Sequence, residues 1–191
     1  MIAIVDYGLG NIANVMNALH FLGYEVEVTK DTQKLRAASH IILPGVGHFR
    51  DAMEAIERQG LVPILKELRE THPMVGICLG MQLLFEHSEE GDAKGLSFLP
   101  GNVELIRSHL PVPHLGWNTL ISDHPLLKED VYFIHSYKVV TEENVVATAD
   151  YDQEIVAIVQ KDSLIGIQFH PEKSGEAGLA ILDQALKGGF L

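Results

Sequence analysis

Met74-Val75-Gly76-Ile77-Cys78-Leu79-Gly80-Met81-Gln82 is the stretch on which the reading of this chain turns. Residues 74–77 form a short apolar run that suits a strand buried on both faces, and residues 81–87 read as the start of a helix. Between them lies Gly76-Ile77-Cys78-Leu79-Gly80, a G-x-nucleophile-x-G elbow with cysteine where hydrolases place serine. The flanking glycines permit a sharp turn that a Cβ would block. That turn lifts residue 78 out at the C-terminal edge of a parallel sheet. A helix N-terminus directly after it favours a thiolate and offers backbone N–H groups to a developing oxyanion. Free cysteine is also a common core residue, so the pentapeptide alone leaves a structural thiol open.

Outward from the elbow the chain alternates strand and helix. Ile2 to Val5 is a continuous apolar run, and Gly8 and Gly10 turn the chain. Asn11 then reads as the cap of a helix with Ile12, Val15, Met16 and Leu19 on one face, ended by Gly23. Residues 25–29 alternate as an outer strand would. A third strand over 41–43 stops at Pro44-Gly45, and helices are predicted over 49–58 and 63–70. This pattern predicts an α/β fold: an open, mostly parallel sheet with helices on both faces. Beyond residue 100 the pattern becomes β-rich. Short strands over 103–107, 131–134, 138–141, 145–149, 155–160 and 164–169 are separated by turn residues, which favours antiparallel pairing, and a last helix spans 176–187. No linker interrupts the chain, so residues 1–191 are expected to form a single domain.

Composition narrows the function. Fourteen Lys and Arg against 26 Asp and Glu give a net charge of −12, which argues against nucleic acid or an anionic membrane surface as a partner. A single cysteine forbids an internal disulfide and fits a reducing cytoplasm. The N-terminus lacks the basic region and cleavage site of a signal peptide, and the longest apolar stretch, over 73–85, is too short to span a bilayer. A soluble cytoplasmic protein is expected.

A second chemical segment is Gln168-Phe169-His170-Pro171-Glu172 at a strand end. The residue before proline is pushed into an extended conformation, and a period of two then projects His170 and Glu172 to one side. A histidine base with a carboxylate beside it can activate a thiol and fix the imidazole tautomer. The order nucleophile, histidine, acid differs from the nucleophile, acid, histidine order of serine hydrolases of this topology. A third segment, Pro44-Gly45-Val46-Gly47, lets the backbone approach a ligand and turn N–H groups toward it. Two competing signals are weaker. Gly8-Leu9-Gly10-Asn11-Ile12-Ala13 matches a dinucleotide fingerprint, but Glu27 falls mid-strand rather than at the end of the second strand. Ten histidines show no metal-ligand spacing, so no metal and no cofactor are expected.

The PGVG loop, the GICLGMQ elbow and the QFHPEKS segment together resemble the class I, triad-type glutamine amidotransferase family over the whole chain. Pro113-His114-Leu115-Gly116-Trp117-Asn118, Phe133-Ile134-His135-Ser136-Tyr137 and the N-terminal Asp6-Tyr7-Gly8-Leu9-Gly10-Asn11 are similar to the branch whose glutaminase subunits pair with a (β/α)-barrel cyclase in histidine biosynthesis. The resemblance implies that Cys78 attacks the glutamine side-chain amide, His170 serves as base and then acid, and Glu172 orients it. It implies oxyanion and substrate contacts from Gly45, Val46, Gly47, Leu79, Gln82, Ser136 and Tyr137. Asn11, Asn14, His114, Trp117, Asn118 and Lys173 would face the cyclase or the ammonia passage, in a heterodimer. One position departs from the family: the lysine usual before Pro-His-x-Gly-Trp-Asn is absent, and Leu110-Pro111-Val112 stands there instead.

Overall fold

The computed structural model describes residues 1–191. The first half runs β1 (Ile2–Val5), α1 (Ile12–Phe21), β2 (Val26–Thr29), α2 (Thr32–Ala37), β3 (His40–Leu43), α3 (Phe49–Arg58), α4 (Val62–Thr71), β4 (Met74–Ile77) and α5 (Leu79–Gln82). The second half holds β5 (His87–Ser88), β6 (Ala93–Lys94), β7 (Asn102–Leu105), β8 (His114–Thr119), β9 (Asp130–His135), β10 (Tyr137–Val140), β11 (Val145–Asp150), β12 (Glu154–Lys161), β13 (Leu164–Ile167) and α6 (Gly175–Leu186). Seven strands make the central sheet in the order β11-β12-β13-β4-β3-β1-β2. From β13 to β2 every pair is parallel, and β12 runs antiparallel to both its neighbours.

The middle of the sheet is buried on both faces: β1, β4 and β13 are apolar and buried at every position. Along β1, Ala3 and Val5 pack with Leu35, Phe49 and Ile64 of α2, α3 and α4, whereas Ile2 and Ile4 pack with Val15 of α1 and Ile181 of α6. Each such buried Val, Leu, Ile or Phe side chain contributes roughly 1.5–3 kcal/mol over exposure. The result is a rigid platform whose C-terminal edge carries the β1–α1 loop, the Pro44–Gly47 loop and the elbow. Two smaller sheets, β10-β7-β5-β6 and the ribbon β8-β9, stand over that edge. No helix is long and apolar enough to cross a membrane.

Four expectations are corrected. The helix expected over 81–87 is the single turn Leu79–Gln82. The carbonyls of Leu83, Leu84 and Phe85 accept instead from the N–H groups of Leu96, Phe98, Leu99 and Ser97, so a returning segment takes the bonds that the next helical turn would need. α2 was not expected; the Asp31 carboxylate caps it by accepting from the N–H groups of Gln33 and Lys34. β8 was not expected either, because its alternation is inverted: Leu115 and Trp117 point outward while His114 is buried. The strand expected over 164–169 ends at Ile167, after which the chain bends toward the cleft.

Candidate active site

Cys78 occupies the junction of β4 and α5 with φ 55° and ψ −112°. A non-glycine residue in this region costs on the order of 1–3 kcal/mol and persists only where its surroundings enforce it. Here they do. A Cβ on Gly76 would lie 2.6 Å from the Gly80 carbonyl oxygen, and a Cβ on Gly80 would lie 1.9 Å from that of Leu43. The elbow therefore packs directly on β3 and β4. Cys78 is only 7% exposed, and its thiol faces the Ile134 carbonyl at 3.8 Å. The side-chain amide of Gln168 approaches the sulfur at 3.9 Å.

His170 is extended, with φ −99° and ψ 96°, and Pro171–Lys173 turn immediately after it as a 3-10 helix. This turn, rather than strand alternation, brings the acid to the base: His170 Nδ1 lies 2.8 Å from Glu172 Oε1. Ser174 clamps the turn by donating to the His170 carbonyl at 2.6 Å and accepting from the Tyr132 N–H at 2.9 Å. With Nδ1 engaged, Nε2 is the ring nitrogen left for Cys78. Burial acts to lower the His170 pKa, but the neighbouring Cys78 sulfur and the Glu172 carboxylate bonded to Nδ1 outweigh it and raise it to about 10. Asn11 was expected to cap α1. It stands at the cap position without a capping side-chain bond, and its amide nitrogen instead reaches Glu172 Oε1 at 3.4 Å.

A cleft of about 280 Å³ opens over this group. Val46, Gly47, Leu79, Gln82, Ser136 and Tyr137, all expected to contact substrate, line it beside Cys78 and His170. Gly45 lies behind the lining. A Cβ there would fall 2.8 Å from Gly80 N, Leu79 Cβ and the Tyr7 hydroxyl, so it keeps the loop pressed on the elbow. None of the N–H groups of Gly45, Val46 and Gly47 is bonded within the chain. The Leu79 N–H, at the first position of α5, is among the donors a helix start leaves without an intrahelical partner.

The positions expected to face a partner divide. Trp117 is 58% exposed on β8, Asn14 is exposed on α1, and Lys173 is exposed at the cleft mouth. His114 is not at the surface: it is buried, stacked on Phe133 and Tyr151, with centroids 4.5 and 4.0 Å away. Asn118 donates inward to His114 Nε2 at 3.2 Å and to the Asp150 carbonyl at 2.9 Å. In the alternative dinucleotide reading the decisive acid would be Glu27, which is paired with Lys34, while Asp6 accepts from the Gly8 N–H at 3.1 Å. No group of three or more His, Cys, Asp or Glu side chains is gathered as a metal ion requires.

Several residues of the site escaped the sequence. Tyr7 is buried and donates its hydroxyl to the Pro44 carbonyl at 2.5 Å. Burial, with a smaller contribution from Cys78, pushes its pKa far up, so it stays a donor. Glu90 and His135 line the cleft, and Gln168 connects Gln82 to Cys78. The Tyr7–Pro44, Phe49–Glu90, His114–His135 and Gln82–Gln168 bonds each join residues far apart in the chain, which no local motif encodes.

Residues 3–187 match the family model described as glutamine amidotransferase class-I. The chain belongs to the class I glutamine amidotransferase family. Among similar amidotransferases, a protein of Staphylococcus aureus named imidazole glycerol phosphate synthase subunit HisH is 59% identical over 191 residues, covering 100% of this chain and 99% of the relative. The Staphylococcus epidermidis protein of the same name is 58% identical over the same span. The fold also matches solved structures: a glutamine amidotransferase with TM-score 0.79 and 19% identity, covering 96% of this chain and 97% of that one, and PurLQS from Thermotoga maritima with TM-score 0.75 and 22% identity, covering 97% of each.

Proposed function

We propose that this amidotransferase is the glutaminase subunit of imidazole glycerol phosphate synthase, acting in histidine biosynthesis as one unit over residues 1–191. The observation that carries the chemistry is that Cys78, on a strained elbow, and His170 line one cleft, with Glu172 bonded to the His170 ring from behind. The full-length identity to proteins named HisH supports the choice of synthase.

Glutamine enters with its amide over Cys78. The sulfur, as thiolate paired with the His170 imidazolium, attacks the amide carbon, and negative charge moves to the carbonyl oxygen. N–H groups of Leu79 and of the Gly45–Gly47 loop receive that charge; such a donor set is worth about 10²–10³ in rate for each bond. His170 gives its proton to the departing nitrogen, the C–N bond breaks, and ammonia leaves a γ-glutamyl thioester. A water then loses a proton to His170 and attacks the thioester, releasing glutamate and restoring the ion pair. The balance is glutamine plus water to glutamate plus ammonia. Glu172 remains an anion that holds Nδ1–H. Gln82, Ser136 and Tyr137 seat the amino-acid end, with the Glu90 carboxylate in the same wall.

Ammonia released into water would be protonated, and ammonium is not a nucleophile, so a sealed path to an acceptor site is required. The proposed acceptor is the (β/α)-barrel cyclase subunit, docked over the face with Trp117, Asn14 and Lys173. The test is glutamate release by the chain alone and then with the cyclase bearing its nucleotide substrate. A slow basal rate that rises steeply with the loaded cyclase supports both the chemistry and the partner. No release from folded protein in either state refutes the reading.

A further inference from the structure

His114 and His135 form a buried pair whose bonds run in one direction only. His135 Nδ1 lies 2.8 Å from the Tyr137 carbonyl, which can only accept, so Nδ1 carries the proton. In the neutral ring His135 Nε2 is then an acceptor, and the nitrogen 2.9 Å away, His114 Nδ1, donates to it. His114 Nε2 is left to accept from the Asn118 amide at 3.2 Å. Both rings are thus neutral Nδ1–H tautomers. Burial holds them there, lowering His114 to about 4 and His135 to about 3.

The chain of donors ends on the substrate side of the cleft. The Tyr137 carbonyl also accepts from Gln82 Nε2 at 2.9 Å. That nitrogen donates as well to Gln168 Oε1 at 3.0 Å, which turns the Gln168 amide nitrogen toward Cys78. With its nitrogen spent on two acceptors, the Gln82 Oε1 has no bond within the chain and is not sealed from solvent. It is an acceptor open to a ligand. Across Ser136, the His135–Tyr137 bond closes a staple, and the Ser136 carbonyl is held by the Ile106 N–H at 2.8 Å.

We infer that His114 and His135 are positioning residues for the glutamine seat: their fixed tautomers orient the Tyr137 carbonyl, and through it the Gln82 amide that meets the substrate. The inference rests on the glutaminase reading above. It also gives a reason for a buried His114 and an inward-facing Asn118 on a strand whose other side chains point outward.

Two measurements test it. Nitrogen-15 NMR of the unsubstituted chain, at neutral pH, should show Nδ1–H at both rings; Nε2–H or a cationic ring at either position overturns the proposal and needs no variant. In the complex with the cyclase, His114→Phe keeps the stacking on Phe133 and Tyr151 but removes the donor to His135. The KM for glutamine should rise about tenfold with kcat within about twofold, because the triad is untouched and only seating is lost. Loss of stability alone would leave KM unchanged in the folded fraction, and an unchanged KM overturns the positioning role even if the tautomers are as stated. If the unsubstituted complex releases no glutamate, the glutaminase reading fails and the seat fails with it, whatever the tautomers.

Discussion

His170 and His135 line the same cleft and both are buried, yet their surroundings act on them in opposite senses. His170 has a carboxylate on one nitrogen and a thiol facing the other, and is held cationic with a pKa of about 10. His135 has a carbonyl on one nitrogen and a neutral ring on the other, and burial lowers it to about 3. The difference lies in the partners rather than in depth. A ring facing groups that can carry negative charge becomes a reagent able to give and take protons. A ring facing a dipole becomes a fixed strut. The first stands beside the backbone-built half of the site, on the parallel sheet. The second belongs to the β8-β9 ribbon, which adds side chains over that platform.

The comparison breaks first at Cys78. Cys78→Ala removes the nucleophile and one of the two groups that hold His170 cationic. Glutamine-dependent synthesis should fall by about 10⁴ or more, while synthesis from added ammonia by the complex is kept. Loss of both activities would contradict the separation of roles. Glu172→Gln removes the other group, and kcat for glutamine hydrolysis should drop about 10²–10⁴-fold with little change in KM. The opposite pattern from His114→Phe, a change confined to KM, would sharpen the contrast. Trp117→Ala, on the exposed side of β8, should leave basal hydrolysis alone and weaken cyclase binding by about 2 kcal/mol, roughly 30-fold, read by titration calorimetry.

The smallest effect is on stability against pH, and its two limbs should belong to different histidines. His170 is raised above its ordinary 6.5, so its contribution is complete below that value and is lost as pH climbs toward about 10. His114 and His135 are lowered, so the unfolded chain binds protons the folded one refuses, and stability falls as pH drops from about 6.5 toward about 3. Denaturant unfolding across pH should show the alkaline limb move to lower pH in Cys78→Ala and the acid limb flatten in His114→Phe. Movement of the same limb in both variants would contradict the assignment.

The two regions also differed in how much the sequence revealed. The elbow was legible because its constraint is steric and local: glycine at 76 and 80 is what a close-packed turn demands. His170 and Glu172 were legible as a pair, although a 3-10 turn and not strand alternation joins them. β8 was hidden because Leu115 and Trp117 face outward, so a pattern that seeks apolar residues inside misses the strand. The Tyr7–Pro44 bond and the Gln168 link were hidden because each joins segments far apart in the chain, with no spacing rule to betray it.

The central claim is that Cys78 forms and breaks a bond to substrate in this cleft. Acid-quenching the complex during glutamine turnover and mass-analysing the chain tests it directly. The account predicts a fraction of the protein heavier by one γ-glutamyl group, mapped to Cys78 and absent from Cys78→Ala. Steady glutamate release with the adduct never present on Cys78, or release undiminished in Cys78→Ala, would contradict it.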